Sequence, residues 1–229
     1  SLKFKLIILS NMGKRILIML LSYLTEKQLS TLFKTTVGRD LIYSAMPPNQ
    51  LVLCDTDEGL LYIVNSSDQE IGRYVYRYRK SFDVQHLVQS FNILGLKQQT
   101  ILLDVGANIG TTGIFAVSQG LVDKCIAFEP EPKNFDLLEK NVQLNGLGGQ
   151  FVLHNVALSH DNADAITFEL SPTNYGDHRV RVGEDQGLYD EVNREVIKVS
   201  SDSIDRLLEQ EDLQNCVLFM DTQGFEGHV

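Results

Sequence analysis

The chain has 229 residues, which allows one large domain or one domain with an N-terminal extension. With 43% hydrophobic and 22% charged residues, it has the composition of a globular protein with a sizeable buried core. The net charge of −10 argues against a general nucleic-acid-binding protein, because neutralising phosphates requires a basic surface.

The chain has three cysteines, an odd number, and they lie far apart in the sequence at Cys54, Cys125 and Cys216. This spacing indicates neither a zinc site nor a disulfide framework. We therefore predict buried, reduced thiols, a cytoplasmic location and no bound metal.

The first predicted element is a helix over residues 5–37, rich in leucine and isoleucine and ending at Gly38. Its apolar runs are shorter than the roughly 20 residues of a membrane-spanning helix, and no signal-peptide cleavage site follows them. We expect this helix to pack against the domain or to act as an interaction helix. Contact with a membrane surface, through the basic residues between Lys3 and Arg15, is the alternative.

Residues 51–64 predict a β-hairpin, because two apolar runs flank the acidic turn DTDEG. The prolines of MPPNQ separate the hairpin from the preceding helix. The stretch DVQHLVQSFNILGL then returns to helical spacing and ends at glycine. Residues 1–95 are therefore predicted to form an accessory region of helix, hairpin and helix, a mainly helical N-terminal extension.

From Thr100 onward, short apolar runs alternate with helical stretches. Strands are predicted in TILLDVG, KCIAFEP, GQFVLHNVAL, DAITFEL, EVIKVS and CVLFMD, the last of them buried. Helices are predicted at residues 109–119, in EPKNFDLLEKNVQLNGL and in SSDSIDRLLEQ. This alternation predicts an open α/β fold with a parallel sheet, whose ligand binds at the carboxyl ends of the strands. Because the chain stops at FEGHV, just after a central strand, we expect the sheet of residues 96–229 to be incomplete at its C-terminus.

Asp104 ends the first of these strands, and Gly106, Gly110 and Gly113 follow it. A dinucleotide-binding loop has the spacing G-x-G-x-x-G and places a pyrophosphate at the start of the next helix. A carboxylate about 6 Å from a pyrophosphate would cost roughly 3 kcal/mol at an effective dielectric constant near 20. S-adenosylmethionine carries an ammonium and a sulfonium but no phosphate, so we predict it as the cofactor. Gly106 and Gly110 would let the backbone approach this ligand closely.

Glu129 ends the second strand, 19 residues beyond Gly110, which is near the separation expected of a ribose-binding acid. A carboxylate accepts hydrogen bonds from both ribose hydroxyls. Because NAD-binding folds use the same arrangement, Glu129 indicates an adenosine ligand without deciding between the two cofactors.

Six stretches, LLDVGANIGTTG, AFEP, NVQLNG, LHNVALS, NYGDHRV and FMDTQGFEG, occur in this order. With them the sequence resembles the FkbM-type methyltransferases over residues 100–229. The resemblance implies an S-adenosylmethionine-dependent enzyme with the seven-stranded, Rossmann-like class I methyltransferase fold, which methylates hydroxyl groups of polyketides, sugars and related metabolites. The sequence departs from the family at Gln223, where a glutamate is frequent.

The resemblance also implies which residues bind the cofactor. Asp104, Gly106 and Gly110 are expected at its methionine end, Glu129 at the ribose and Asn155 near the adenine. The full predicted set is Asp104, Gly106, Ala107, Asn108, Gly110, Glu129, Pro130, Asn155 and Ala157.

Two residues are predicted to be catalytic. Methyl transfer to a hydroxyl depends on alignment and benefits from a general base. His178, in the polar stretch NYGDHR, has a suitable unperturbed pKa for this role. Asp221 ends the strand CVLFMD and would orient His178, act as the base itself or bind substrate hydroxyls. No nucleophile, base and orienting group can be assembled from the spacing, so we predict no covalent catalysis.

These observations predict an S-adenosylmethionine-dependent O-methyltransferase that acts on a hydroxyl of a small molecule, sugar or glycan, with no nucleic-acid partner. Two alternatives stay open. One is an NAD(P)-dependent oxidoreductase on a Rossmann fold, and the other is a non-catalytic adaptor that keeps the methyltransferase fold.

Overall fold

The computed structural model describes residues 19, 22–95, 100–160, 164–181, 194–211, 213 and 215–229. The first part of the predicted N-terminal helix, with the basic residues named in the membrane-contact alternative, lies outside the described residues. Among the residues that are described, no helix combines the length and the apolar character needed to cross a membrane.

Between Glu26 and Ala45 the chain forms two helices, α1 (Glu26–Phe33) and α2 (Thr36–Ala45), where the sequence predicted one. Gly38 lies inside α2, so the prediction that it ends a helix is wrong. A Cβ atom at Gly38 would lie 1.9 Å from the carbonyl oxygen of Leu32. Glycine is needed at this position because the two helices pack closely there.

The predicted hairpin is confirmed, since β1 (Leu51–Asp55) and β2 (Leu61–Asn65) pair in antiparallel register. Helices α3 (Ile71–Tyr78) and α4 (Val84–Leu94) follow it. Gly95 ends α4 in a left-handed conformation, which agrees with the predicted end at glycine.

A parallel sheet forms the centre of the remaining chain. Its strands are β3 (Ile101–Val105), β4 (Lys124–Phe128), β5 (Phe151–His154) and β10 (Cys216–Met220), in the order β10-β3-β4-β5. Helix α5 (Thr111–Ser118) connects β3 to β4, and α6 (Pro132–Leu144) connects β4 to β5. The predicted α/β fold with a parallel sheet is confirmed, and the carboxyl ends of all four strands lie at one edge of the sheet.

A second sheet has the order β6-β9-β7-β8. Its strands are β6 (Ala157–Leu158), β7 (Ala165–Leu170), β8 (Arg179–Val180) and β9 (Glu195–Asp202). The strand β6 pairs with β9 in parallel, and the other two pairings are antiparallel. Helix α7 (Ile204–Leu207) follows β9 and is capped by the side chain of Ser203, as predicted.

The stretch GQFVLHNVAL was predicted as one strand, and this prediction is wrong. It divides into β5 and β6, which belong to different sheets. Between them, the side-chain amide of Asn155 donates hydrogen bonds to the carbonyl oxygens of Glu129 and Pro130 at 2.8 and 3.1 Å. These bonds hold Asn155 against the end of β4. The residues that follow Asn155 leave the first sheet.

The strand β10 was predicted to be buried, and this is also wrong. It pairs with β3 along one edge, and no strand among the described residues pairs with its other edge. Leu218 is therefore 51% exposed, and Cys216 is an exposed thiol. The other two cysteines, Cys54 and Cys125, are buried and free, as predicted.

Buried apolar side chains cover both faces of the parallel sheet. On one face, Leu102 of β3 belongs to a cluster with Leu138 of α6 and Tyr62 of β2. Its neighbour Leu103 points to the opposite face and packs in a cluster with Leu208. Residues on both sides of position 95 thus share one core, and the domain boundary predicted there stays a prediction.

Two asparagines of α6 hold the hairpin against the sheet domain. The Asn141 Oδ1 atom accepts the N–H of Ile63 at 2.6 Å, and the Asn145 Oδ1 atom accepts the N–H of Leu61 at 2.9 Å. The two side-chain amides donate to the carbonyl oxygens of the same residues, at 3.2 and 2.7 Å. The asparagine side chains thereby replace a neighbouring strand along β2.

We predict that Asn141→Ala lowers the free energy of unfolding by about 3 kcal/mol, because it leaves the buried carbonyl oxygen of Ile109 and the part-buried N–H and carbonyl groups of Ile63 without these partners. The measurement is urea unfolding followed by circular dichroism. The control Gln143→Ala changes an exposed residue of the same helix and is expected to shift stability by about 0.5 kcal/mol or less. Equal effects of the two changes would contradict the strand-like role of Asn141.

Candidate functional site

A cavity opens at the carboxyl ends of β3, β4 and β10, where the fold predicts a ligand. Seven residues predicted from the sequence line it: Gly106, Asn108, Glu129, Pro130, Ala157, His178 and Asp221. The other predicted residues lie outside its lining: Asp104, Ala107, Gly110 and Asn155. The cavity therefore joins most of the predicted cofactor residues to both predicted catalytic residues.

The glycine loop after β3 is fixed to the end of β4. The N–H groups of Gly106 and Ala107 both donate to the carbonyl oxygen of Phe128 at 3.0 Å. Gly106 has a φ angle of +86°, and a Cβ atom there would lie 2.1 Å from the carbonyl oxygen of Asp221. The sequence predicted that a glycine here lets a ligand approach the backbone closely. In the structure, the absence of a side chain at Gly106 makes room for the backbone that follows β10.

Asp104 lies behind the glycine loop. Its side chain is 1% exposed, and its Oδ2 atom accepts the N–H of Gly113, in the first turn of α5, at 3.1 Å. Burial, together with the charge of Asp221, raises the pKa of Asp104 to about 7. Its effect on a ligand in the cavity is therefore electrostatic, and direct contact with the cofactor stays a prediction.

Glu129 connects the two loops that form the cavity wall. Its Oε2 atom accepts the N–H of Asn108 at 2.8 Å, and its Oε1 atom accepts the N–H of Glu131 at 2.9 Å. Burial of the carboxyl group raises its pKa to about 8 despite these two hydrogen bonds. Each carboxylate oxygen retains capacity to accept a further hydrogen bond from a ligand hydroxyl.

The turn Tyr175–Asp177, which we call the Tyr175 turn, forms another wall of the cavity. Two side-chain amides donate to the carbonyl oxygen of Tyr175, Asn108 Nδ2 at 2.8 Å and Asn134 Nδ2 at 3.3 Å. The Tyr175 turn is thus fixed to the glycine loop and to α6.

His178 lies directly after the Tyr175 turn and lines the cavity. Its Nδ1 atom accepts the N–H of Ser171 at 2.9 Å, so the neutral ring carries its proton on Nε2. Burial lowers the pKa of His178 to about 4, and the positive charge of Arg194 contributes to this shift. The ring is therefore neutral at physiological pH and presents a hydrogen-bond donor.

Asp221 emerges from the end of β10 beside the glycine loop. Its N–H donates to the carbonyl oxygen of Val105 at 2.9 Å, and its Oδ1 atom accepts the side-chain amide of Gln223 at 2.6 Å. Partial desolvation and the charge of Glu226 hold the pKa of Asp221 above its usual value. The position suits a carboxylate that accepts a proton from a substrate.

Among the described residues, no group of His, Cys, Asp and Glu side chains is arranged to hold a metal ion.

Tyr175 and Asn134 line the cavity but were not identified from the sequence. Tyr175 belongs to NYGDHRV, a stretch in which only His178 was predicted to be catalytic. Asn134 is the third residue of α6, just after the predicted ribose acid, and its position gave a weak signal because a polar residue in a first helical turn is common.

The parallel sheet, the glycine loop and the buried Glu129 define a nucleotide-binding α/β protein. The profile named "Methyltransferase FkbM domain" matches residues 104–229, which is more than half of the chain. The chain therefore belongs to the FkbM methyltransferase family, a family of S-adenosylmethionine-dependent enzymes, as the sequence resemblance predicted. No curated protein matches the chain significantly.

Several solved structures of methyltransferase type also align with the chain. TYW2 of Pyrococcus horikoshii, solved in complex with MeSAdo, is 17% identical, with 49% of this chain and 38% of that chain covered, at a TM-score of 0.35. A tRNA methyltransferase of Methanocaldococcus jannaschii is 16% identical, with coverages of 50% and 36% and a TM-score of 0.33. TYW2 of M. jannaschii, in complex with AdoMet, is 14% identical, with coverages of 48% and 44% and a TM-score of 0.32. The chain thus spans less than half of the length of each, and their substrates are not transferred to it.

We predict that Gly106→Ala prevents cofactor binding in the folded protein, because the new Cβ atom would displace the Asp221 carbonyl from the loop. The matched control is Gly120→Ala, which has a φ angle of +67° but no atom within 4 Å of the new Cβ. Both changes add backbone strain of roughly 1 kcal/mol, so isothermal titration calorimetry should separate them. Loss of binding in both variants would contradict a specific role for the contact with Asp221.

A second prediction concerns pH. The raised pKa of Glu129 means that the folded chain without cofactor binds more protons there than the unfolded chain between about pH 4.5 and 8, so stability falls as pH rises through this window. Hydrogen bonds from ligand hydroxyls favour the ionised carboxylate and lower its pKa. Affinity for S-adenosylhomocysteine is therefore expected to increase several-fold from about pH 6 to about pH 9.

The same titrations with Glu129→Gln should show no increase in affinity above about pH 7.5. The increase in affinity below that pH should remain, because Asp104 contributes it. An affinity that falls with rising pH, or an unchanged profile in the variant, would contradict the role given to Glu129.

Proposed function

We propose that this protein is an S-adenosylmethionine-dependent O-methyltransferase that acts on a hydroxyl of a small molecule, sugar or glycan. The observation that carries the proposal is the meeting of Glu129, the glycine loop and Asp221 in one cavity. Membership of the FkbM family supports the cofactor and the reaction class.

The chemistry of the cavity fits the cofactor. Apolar side chains, among them Phe128 and Val156, offer a surface for an adenine ring, and Glu129 offers acceptors for ribose hydroxyls. No lysine or arginine is among the described residues that line the cavity, whereas Asp221 lines it and Asp104 lies behind it. This charge favours an ammonium and a sulfonium over the pyrophosphate of NAD(P).

The bound cofactor would supply a methyl group on a positively charged sulfur, already activated for in-line transfer. Methyl transfer would join the hydroxyl oxygen of the substrate to the methyl carbon, and the electron pair of the broken carbon–sulfur bond would remain on sulfur. We assign to the Asp221 carboxylate the acceptance of the hydroxyl proton. The raised pKa of Asp221 makes it a better base than an exposed aspartate.

His178 has a different role in this proposal. Its low pKa and its occupied Nδ1 atom make the ring a weak base. Its Nε2–H group is suited to donate a hydrogen bond to the acceptor substrate and to orient it. The sequence predicted His178 and Asp221 as candidates for the general base, and we therefore favour Asp221 over His178.

A second, polar cleft supports a hydroxylated acceptor. It shares Tyr175 and His178 with the cofactor cavity, so a ligand bound in it lies next to the predicted reaction centre. Its other polar lining residues are Asn49, Glu131, Lys133, Ser171 and Glu195. Carboxylate, amide, hydroxyl and ammonium groups together match the alternating donors and acceptors of a sugar. The net charge of −10 disfavours a nucleic acid as the acceptor.

We also propose a cytoplasmic location, which the free thiols of Cys54 and Cys125 support.

The first test is calorimetry of the purified protein with S-adenosylmethionine, S-adenosylhomocysteine and NAD. We expect both sulfur nucleotides to bind and NAD not to bind. Binding of NAD alone would favour the oxidoreductase, and absence of binding by either sulfur nucleotide would remove the proposal.

The second test measures methyl transfer to a panel of sugars and small alcohols by mass spectrometry. Asp221→Asn is expected to lower kcat by about 10²- to 10⁴-fold while S-adenosylhomocysteine binds nearly as in the wild type. Glu129→Ala should instead weaken cofactor binding much more than His178→Ala does. Tight cofactor binding without methylation of any acceptor in the panel would favour the adaptor.

A further inference from the structure

Asn134 lines the cofactor cavity, and its side chain has an unpaired polar atom. The residue is 1% exposed and lies in the first turn of α6, where its own N–H is capped by the side chain of Glu131. Its Nδ2 atom donates to the carbonyl oxygen of Tyr175, but its Oδ1 atom is buried and has no hydrogen-bond partner. Buried carbonyl oxygens in folded proteins are rarely left unpaired, so this atom calls for a donor.

The position of Asn134 indicates which part of a ligand supplies that donor. Asn108 and Asn134 donate to the same Tyr175 carbonyl oxygen, and the N–H of Asn108 also donates to Glu129. Asn134 is therefore linked through the Tyr175 carbonyl and Asn108 to the carboxylate expected to hold the ribose, and both residues line the same cavity. The donors of a ribose are its two hydroxyl groups.

We propose that the Oδ1 atom of Asn134 accepts a hydrogen bond from a ribose hydroxyl of the bound cofactor. The proposal rests on the function proposed above, and it adds a cofactor contact to Glu129. Because the Nδ2 atom of the same amide holds the Tyr175 carbonyl, occupation of the ribose position also stabilises the Tyr175 turn that closes the cavity wall.

A neutral acceptor is chemically suited to this position. Glu129 is already a buried acid, and both of its oxygens accept backbone N–H groups. A second carboxylate beside it would raise the pKa of both acids further. An amide accepts the remaining hydroxyl without adding charge, and its Nδ2 atom is free to hold the Tyr175 carbonyl.

The test compares hydroxyl-deleted ligands in matched variants. S-adenosylhomocysteine and its 2′-deoxy and 3′-deoxy analogues are titrated by calorimetry into the wild type and into Asn134→Ala. We expect Asn134→Ala to bind S-adenosylhomocysteine roughly five- to tenfold more weakly. We also expect one deoxy analogue to lose affinity in the wild type and to lose several-fold less in Asn134→Ala, because its missing hydroxyl has no partner there.

Two controls separate this contact from structural effects. Asn108→Gly removes the other amide bond to Tyr175 while tolerating the φ angle of +52°, and it should retain the full penalty of both deoxy analogues. Gln143→Ala changes an exposed residue of α6 and should leave all of the affinities unchanged.

Deoxy penalties that are the same in Asn134→Ala and in the wild type would overturn the proposal. It would also be overturned if Asn134→Ala removed the penalty of an analogue with oxygen in place of the adenine amino group, since the donor would then be the base. A wild-type protein that binds no S-adenosylhomocysteine would instead refute the proposed function itself.

Discussion

The carboxylate of Glu129 is the group on which the geometry of the site depends. Its two oxygens accept backbone N–H groups from Asn108 and Glu131, so one buried side chain fixes the glycine loop and the start of α6. Both N–H groups would be left without partners if the side chain were apolar, at a cost of about 1–3 kcal/mol for each. The same carboxylate faces the cavity. Glu129 therefore builds the cavity wall and is also the residue predicted to recognise the ribose. A ligand bound to this carboxylate would be coupled to the positions of both loops.

Buried acidic groups at the cavity favour a cationic ligand. The pKa values of Asp104 and Glu129 are raised by burial to about 7 and about 8, which means that ionising either acid is unfavourable without a compensating charge. Asp221 adds to this because its charge raises the pKa of Asp104. The carboxylate of Asp104 is not part of the cavity lining, yet interactions at low dielectric act over several ångströms. An ammonium or sulfonium in the cavity would relieve this repulsion, whereas a diphosphate would increase it.

The sequence predicted the alternation of strands and helices well, because each of these elements has its own apolar period and its own end signals. It failed where contacts distant in sequence decide the local structure. Gly38 was predicted to end a helix, but glycine is needed there because the carbonyl oxygen of Leu32 leaves no room for a side chain. Gly106 was correctly identified as special, but the atom that forbids a side chain there belongs to Asp221, more than a hundred residues away. Asn134 could not be found from spacing, since its unpaired side-chain oxygen is a property of the folded structure alone.

The accessory region contributes to the site, and a division of the chain at residue 95 would separate parts that act together. The amides of α6 that replace a strand beside β2 set the position of the residues that follow β2. Among these, Asp68 is buried and its carboxylate accepts the N–H groups of Gly72 and Tyr175, at 2.7 and 3.4 Å. The N–H of Gln69 also donates to the carbonyl oxygen of Thr173 at 2.8 Å. The Tyr175 turn is thus held from one side by the accessory region and from the other by the asparagines of the cofactor cavity. Helix α6 therefore positions both sides of the turn, through its C-terminal asparagines by way of β2 and through Asn134 directly.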